Sequence, residues 1–368
     1  MIKPLEYIKS KITYPIDIYE AQTFFKGSFD NIEAQIQKLQ NSKLVVVGDL
    51  HGNINKALET MILANLIEIK ADELKTFYEL FEHHENYTNM NKIIVMIKAL
   101  QSLKWVDVNR KMIFLGDILA DRVGNDIIAL SFFDILRNNG ANVETIIGNH
   151  DHACDFIDRI NAQYMNTYAI SFFNACDIFD NSDIDLQQYC VKLLNSFILN
   201  SKLIIFDKIN KTLFVHAAIR KLNFITAINL LKKLELIKLD FAFKNEAIEE
   251  FCDKFNQFYI DYKLNNKYQD KKYIIENKLL KSVDASGNRK SEGWFWVGEH
   301  WFDADHEFYT NLGIKTIVHG HDSDSQKSTF SASNRNYNPE GFTVINLDNM
   351  QGKDMKSAKS SSPIYIQT

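Results

Sequence analysis

Residues 43–53 read KLVVVGDLHGN. Leu44, Val45, Val46 and Val47 form a continuous apolar run, which predicts a central strand covered on both faces rather than one with a wet side. The run stops at Gly48 and hands Asp49, His51 and Gly52 to a loop. Side chains at the carboxyl end of such a strand are held by a rigid element, which suits chemistry. Asp49 and His51 flank Leu50, so two metal-ligand residue types leave the strand end together. A lone Asp-x-His carries little weight; what matters is whether the rest of the chain supplies partners of the same kind.

It does so four more times. KMIFLGDILADRVGND gives a second apolar strand ending in Gly116 and Asp117, with Asp121 and Arg122 just beyond. NVETIIGNHDH gives a third, ending in Gly148, Asn149, His150, Asp151 and His152. KTLFVHAAIR ends at His216, with Arg220 following, and IKTIVHGHD ends at His319, Gly320 and His321. One Asp or His at a strand end is usually a cap, a turn or a satisfied core histidine. Five strand ends of this kind point to one shared site. His319 and His152 read as supporting or surface residues. His83-His84 is set aside as a surface pair, since adjacent helical residues point about 100° apart.

Around these motifs the chain is that of a large globular protein. It has 368 residues, 46% of them apolar, enough for a sizeable core. A net charge of −5 argues against broad nucleic-acid affinity. The seven arginines are few enough that one beside a motif stands out. Cysteines 154, 176, 190 and 252 show no C-x-x-C spacing and read as reduced, mostly buried thiols. No stretch approaches 18 apolar residues and the N-terminus lacks an apolar leader, so a soluble protein with neither a transmembrane segment nor a cleavable signal peptide is expected. Residues 1–40 read as a helical segment, with Ile32, Ile36 and Leu39 at helical spacing, before a catalytic domain over 41–368. Helical insertions are expected over about 70–104 and 221–290, and a helix over Ile54–Ile69 with a core stripe at Leu58, Met61, Ile62 and Leu66. Closing strands are expected in GFTVINLDN and PIYIQT.

Oxygen and imidazole donors without thiolates suit manganese, iron, zinc or magnesium. Two such ions sharing a carboxylate clamp a phosphoryl group and activate water for in-line attack. A histidine beside them can protonate the leaving alkoxide, and arginine can grip phosphate oxygens in pairs.

GDLHGN, GDILADR, GNHD, FVHAAIR and VHGHD resemble the ordered signature of calcineurin-like metallophosphoesterases, and more narrowly of the phosphoprotein phosphatase (PPP) family. The resemblance implies an α/β fold, a β-sandwich flanked by helices. It implies two divalent ions, manganese foremost, with Asp49, His51 and Asp117 on the first, and Asp117, Asn149, His216 and His321 on the second. It makes His150 the general acid, Asp121 its orienting partner and Arg122 a phosphate clamp, with Arg220 as a further phosphate contact. The chain departs from the family at the second motif, where Asp117 and Asp121 are four apart rather than three, and Val123 precedes Gly124. FWVGEHW resembles the bacterial LWVRE segment, but Gly298 stands where an arginine would hold phosphate, a place Arg220 or Arg289 would have to fill. The stretched second motif and the helical insertions are similar to the Wip-type effector phosphatases of Legionella, WipB-like serine/threonine enzymes among them.

The activity so implied is hydrolysis of phosphoserine and phosphothreonine in proteins by a metal-activated hydroxide. A diadenosine tetraphosphatase-like nucleotide phosphoesterase and a tyrosine phosphatase are the alternatives, with a non-catalytic scaffold behind them. A phosphoprotein is the expected substrate, and a host protein the expected partner of the helical insertions. Location is expected in the bacterial cytoplasm, or in a host cell if the effector resemblance holds.

Overall fold

The computed structural model describes residues 3–11, 16–20, 32–83, 86–87, 89–119, 126–153, 184–238, 245–280, 293–295, 302–321, 342–347 and 362–367. The fold is mixed α/β. The chain divides into two compact units, one formed by residues 1–145, 150–200 and 349–368, the other by 146–149 and 201–348.

The first unit is built on β1 (Ile16–Glu20), β2 (Leu44–Val47), β5 (Lys111–Phe114), β6 (Val143–Ile146) and β12 (Ser362–Gln367), in the order β1-β12-β2-β5-β6. β2, β5 and β6 run parallel, while β12 pairs antiparallel with β2 and parallel with β1. All four residues of β2 are buried, as the unbroken apolar run requires. Helices α1 (Pro4–Lys11), α2 (Ile32–Gln40), α3 (Ile54–Leu63), α4 (Ala71–Phe81), α5 (Met90–Leu100) and α6 (Asp126–Asn138) belong to this unit, with α7 (Asn149–Ala153) starting at the unit boundary and α8 (Ile184–Leu199) closing it. The expected insertion at 70–104 is α4 and α5, joined to a small antiparallel pair, β3 (Ile67–Glu68) with β4 (Lys104–Trp105).

The helix expected over Ile54–Ile69 ends instead at Leu63. Asn65 adopts a left-handed φ of 53°, Leu66 N donates to Met61 O at 2.8 Å and Asn65 N to Ile62 O at 3.0 Å. This is a Schellman stop with asparagine in the position glycine usually takes. Leu66, expected on the helix stripe, is buried beyond the stop, and Ile67 begins β3.

Arg110 locks this end of the unit. The residue is 9% exposed, and its guanidinium donates to the carbonyls of Leu39 (2.8 Å), Ser42 (2.7 Å) and Ala64 (2.7 Å). It thus closes the carboxyl ends of α2 and α3 at the feet of β2 and β5. Burial lowers its pKa, but so strong a base stays charged.

The second unit carries a four-stranded sheet in the order β11-β10-β9-β8, from β8 (Ile204–Asp207), β9 (Thr212–Val215), β10 (Thr316–His319) and β11 (Thr343–Asn346). β9, β10 and β11 are parallel and fully buried, and β8 returns antiparallel to β9. Helices α9 (Lys221–Lys233), α10 (Asn245–Lys263) and α11 (Phe302–Asn311) accompany them. The segment GWFWVGEHWF contributes Trp294 and Phe295 to the core, both buried, the indole of Trp294 edge-on to Phe255 at 4.5 Å. Trp296, Trp301, Gly298 and Arg289 lie outside the described residues, as do Cys154, Cys176 and His84. Cys190 and Cys252 are buried free thiols; burial pushes Cys190 up to about 12 and Cys252 higher still. Among the described residues no helix is long and apolar enough to cross a membrane.

Candidate metal centre

In the first unit the ends of β2 and β5 present their loops side by side. His51 N donates to Asp117 O at 2.6 Å and Gly52 N to Ile118 O at 3.0 Å, so the two loops are one hydrogen-bonded piece. Both carrying residues take left-handed backbone, His51 at φ 46° and Asp117 at φ 45°. Such angles cost energy in non-glycine residues and persist where the surroundings enforce them. Asp49, His51 and Asp117 are each 1% exposed or less. His51 Nε2 stands 4.0 Å from Asp49 Oδ2 and 3.9 Å from Asp117 Oδ2.

The turn after β6 joins the same cluster. His150 N donates to Asp117 Oδ1 at 2.9 Å, and the His150 ring lies edge-on to His51 with 5.0 Å between centroids. His150 Nε2 is 3.6 Å from Asp117 Oδ2. Donor atoms of His51, Asp117 and His150 all lie within 4.8 Å of one another, close enough to hold a metal ion. Asp151, to which sequence reading gave no role, is 2% exposed, and its Oδ1 accepts from Leu119 N at 2.8 Å. It ties the GNHD turn to the loop after β5, an interaction between distant segments that carries no sequence signal. Asp121 and Arg122 lie outside the described residues.

In the second unit, His216 Nε2 is 2.9 Å from Asn149 Oδ1, and the His216 and His321 rings are 5.0 Å apart. His216 follows β9 and His321 follows β10, and these ends are tied because Gly320 N donates to His216 O at 2.7 Å. His321 also has left-handed backbone, φ 67°. His319 is 1% and His152 2% exposed, so both are buried rather than surface residues. His319 Nδ1 is 2.8 Å from Gly320 O and His319 O accepts from Leu347 N at 2.7 Å. Arg220 is half-buried at the head of α9; the preceding residue, Ile219, accepts from the buried Tyr309 hydroxyl through its carbonyl. His83, read as a surface residue, is exposed.

Each unit thus gathers oxygen and imidazole donors at the ends of parallel strands. The donor chemistry fits a hard or borderline divalent ion such as manganese, iron, zinc or magnesium.

Comparison with known proteins supplies the family. A family model described as the WipA-like phosphatase domain matches residues 111–353, most of the chain, though not the Asp49–His51 loop. No curated protein matches. Among solved structures, the phosphatase domain of the Legionella effector WipB is similar at a TM-score of 0.50, with 14% identity, covering 83% of this chain and 98% of that one. A cold-active protein tyrosine phosphatase aligns over 96% of this chain and 77% of its own, at 18% identity and a TM-score of 0.44. From the family match over 111–353, the chain belongs to the WipA-like phosphatase-domain family.

Proposed function

We propose that this phosphatase is a metal-dependent serine/threonine phosphatase of the PPP type, with a calcineurin-like β-sandwich and two divalent ions, manganese foremost. The observation that carries the reading is the buried convergence of His51, Asp117 and His150 donor atoms within 4.8 Å. Asp49, His51 and Asp117 would hold one ion, and Asp117, Asn149, His216 and His321 the other. Bound ions would neutralise phosphoryl oxygens and acidify a water.

The chain's own residues do the rest. Arg122, with Arg220 as a further contact, grips the phosphate oxygens as a planar, permanently charged donor. His150 gives its proton to the leaving serine or threonine oxygen, and Asp121 keeps that imidazole oriented and protonated. Sequence reading puts the His150 ring at the rim of the site; the structure puts it against Asp117 and His51. From there it can serve the leaving oxygen, or bind an ion itself, and the metal content of a variant separates the two roles. For the helical insertions we assign partner contact, since α5 exposes Ile94 (40%) and Val95 (41%) to solvent; a host protein is the partner if the chain is an exported effector.

The test is elemental analysis with a substrate panel. Active protein should carry two divalent ions per chain, lose activity in chelator and recover it best with manganese. Phosphoserine and phosphothreonine peptides should be turned over faster than phosphotyrosine peptide or diadenosine tetraphosphate. One ion or none in active protein overturns the two-metal reading.

A further inference from the structure

Lys56 is 3% exposed and sits in the first turn of α3, three residues after the cap Asn53. Both facts work against a lysine. A buried ammonium loses its hydration, and the first turn of a helix is the positive end of its dipole, where acidic residues are favoured. Its backbone is fixed on both sides: Lys56 N donates to Asn53 Oδ1 at 3.2 Å, and Lys56 O accepts from Thr60 Oγ1 at 2.9 Å. The side chain reaches back over the loop, and Nζ donates to the backbone carbonyl of Asp49 at 3.0 Å. The same loop is held at His51 and Gly52 by the segment after β5. The peptide that carries Asp49 is therefore gripped from α3, and the two residues after Leu50 from β5.

We infer that Lys56 is a positioning residue for the metal centre. Its ammonium fixes the Asp49 carbonyl, and so sets the direction in which the Asp49 carboxylate leaves β2 toward the donors of His51 and Asp117. A charged donor makes a stronger tether than a neutral one, which accounts for a cation where the helix disfavours it. The inference rests on the metal reading above. It extends that reading to a residue that touches neither ion nor substrate.

Lys56→Met keeps the length and removes the donor; Lys56→Arg keeps the charge. Manganese binding to each purified chain is followed by the resonance signal of free manganese, and thermal unfolding is measured in chelator. Groups that orient metal ligands typically change affinity by about 10–100-fold, so Lys56→Met should bind one ion that much more weakly, with Lys56→Arg recovering most of the loss. Wild-type affinity for both ions in Lys56→Met, whatever its unfolding temperature, overturns the inference and leaves a packing role. Should Lys56→Met fail to fold, Lys56→Gln fills the space with an arm too short to reach the carbonyl, and wild-type affinity there overturns it equally. Wild-type protein that binds no ion overturns the metal reading, and the role of Lys56 falls with it.

Discussion

Three residues named from the sequence as ligands, His51, Asp117 and His321, are among the eight non-glycine residues with positive φ in the described chain. Among the others, Asn65 and Glu235 stop helices, while Lys211 lies in the turn between β8 and β9. At His51, Asp117 and His321 the strained turn has another use: it aims a side chain and exposes the neighbouring N–H and C=O groups for the ties between loops. This geometry makes Asp117→Asn a clean test. Asparagine tolerates left-handed backbone as readily as aspartate, so the turn survives while the charge is lost. On the proposed two-metal function, where Asp117 is the carboxylate both ions share, activity should fall by about 10²-fold or more with the circular-dichroism spectrum unchanged. Near-normal turnover by the folded variant would mean that Asp117 is no ligand. His150→Ala asks a different question. General acid catalysis is worth about 10²–10⁴-fold when the leaving group is a poor one. The loss should be of that size on phosphoserine peptide and clearly smaller on p-nitrophenyl phosphate, with metal content retained. Equal losses on both substrates, or lost metal, would make His150 a ligand, a role its 3.6 Å approach to Asp117 permits.

The elements that carry these residues depend on contacts of unequal legibility. Strands β2, β5, β9 and β10 are readable because their cores are unbroken apolar runs ending at a glycine or a ligand. β1 is a short strand inside a segment that reads as helical, and the insertion of β12 between β1 and β2 depends on pairing across the length of the chain, which no local pattern records. Lys56 was unread for a related reason, since a lysine in a helix ordinarily marks a wet face. Arg110 is the strongest case of this kind. In the sequence it precedes a strand without comment; in the structure it closes two helices through three carbonyls. Arg110→Met fills the volume but leaves those buried acceptors without their donor, at about 1–3 kcal/mol for each group left unsatisfied. Denaturant titration should show a loss of about 2–4 kcal/mol, on the scale of a broken buried network. Metal content per folded molecule should be unchanged, because the guanidinium sits at the feet of β2 and β5 and the ligands follow their carboxyl ends. A loss below 1 kcal/mol would show that water replaces the guanidinium without cost.

For the molecule as a whole, the motifs lead to the expectation of one catalytic region from residue 41 onward, and within it the contacts form two compact units, divided along the chain at 145/146, 149/150, 200/201 and 348/349. Such a division comes from long-range packing, which neither composition shifts nor linkers betray here. What the structure discloses is an electrostatic demand. Among its described residues the first unit buries four carboxylates, Asp49, Asp117, Asp126 and Asp151, each 2% exposed or less. Carboxylates so deprived of water require hydrogen bonds and nearby positive charge. Lys56 and the backbone N–H donors from Leu119 and His150 meet part of that demand, and divalent ions would meet more. The unfolded chain has no assembled site, so ions held there would bind the native state preferentially and stabilise it by mass action. At a free manganese concentration of 100 times Kd, one site contributes about 2.7 kcal/mol. The unfolding temperature should therefore rise by several degrees on going from chelator to manganese, with a smaller rise in Asp117→Asn. Equal unfolding temperatures with and without manganese, at concentrations that restore activity, would mean that the ions act without being held by the fold.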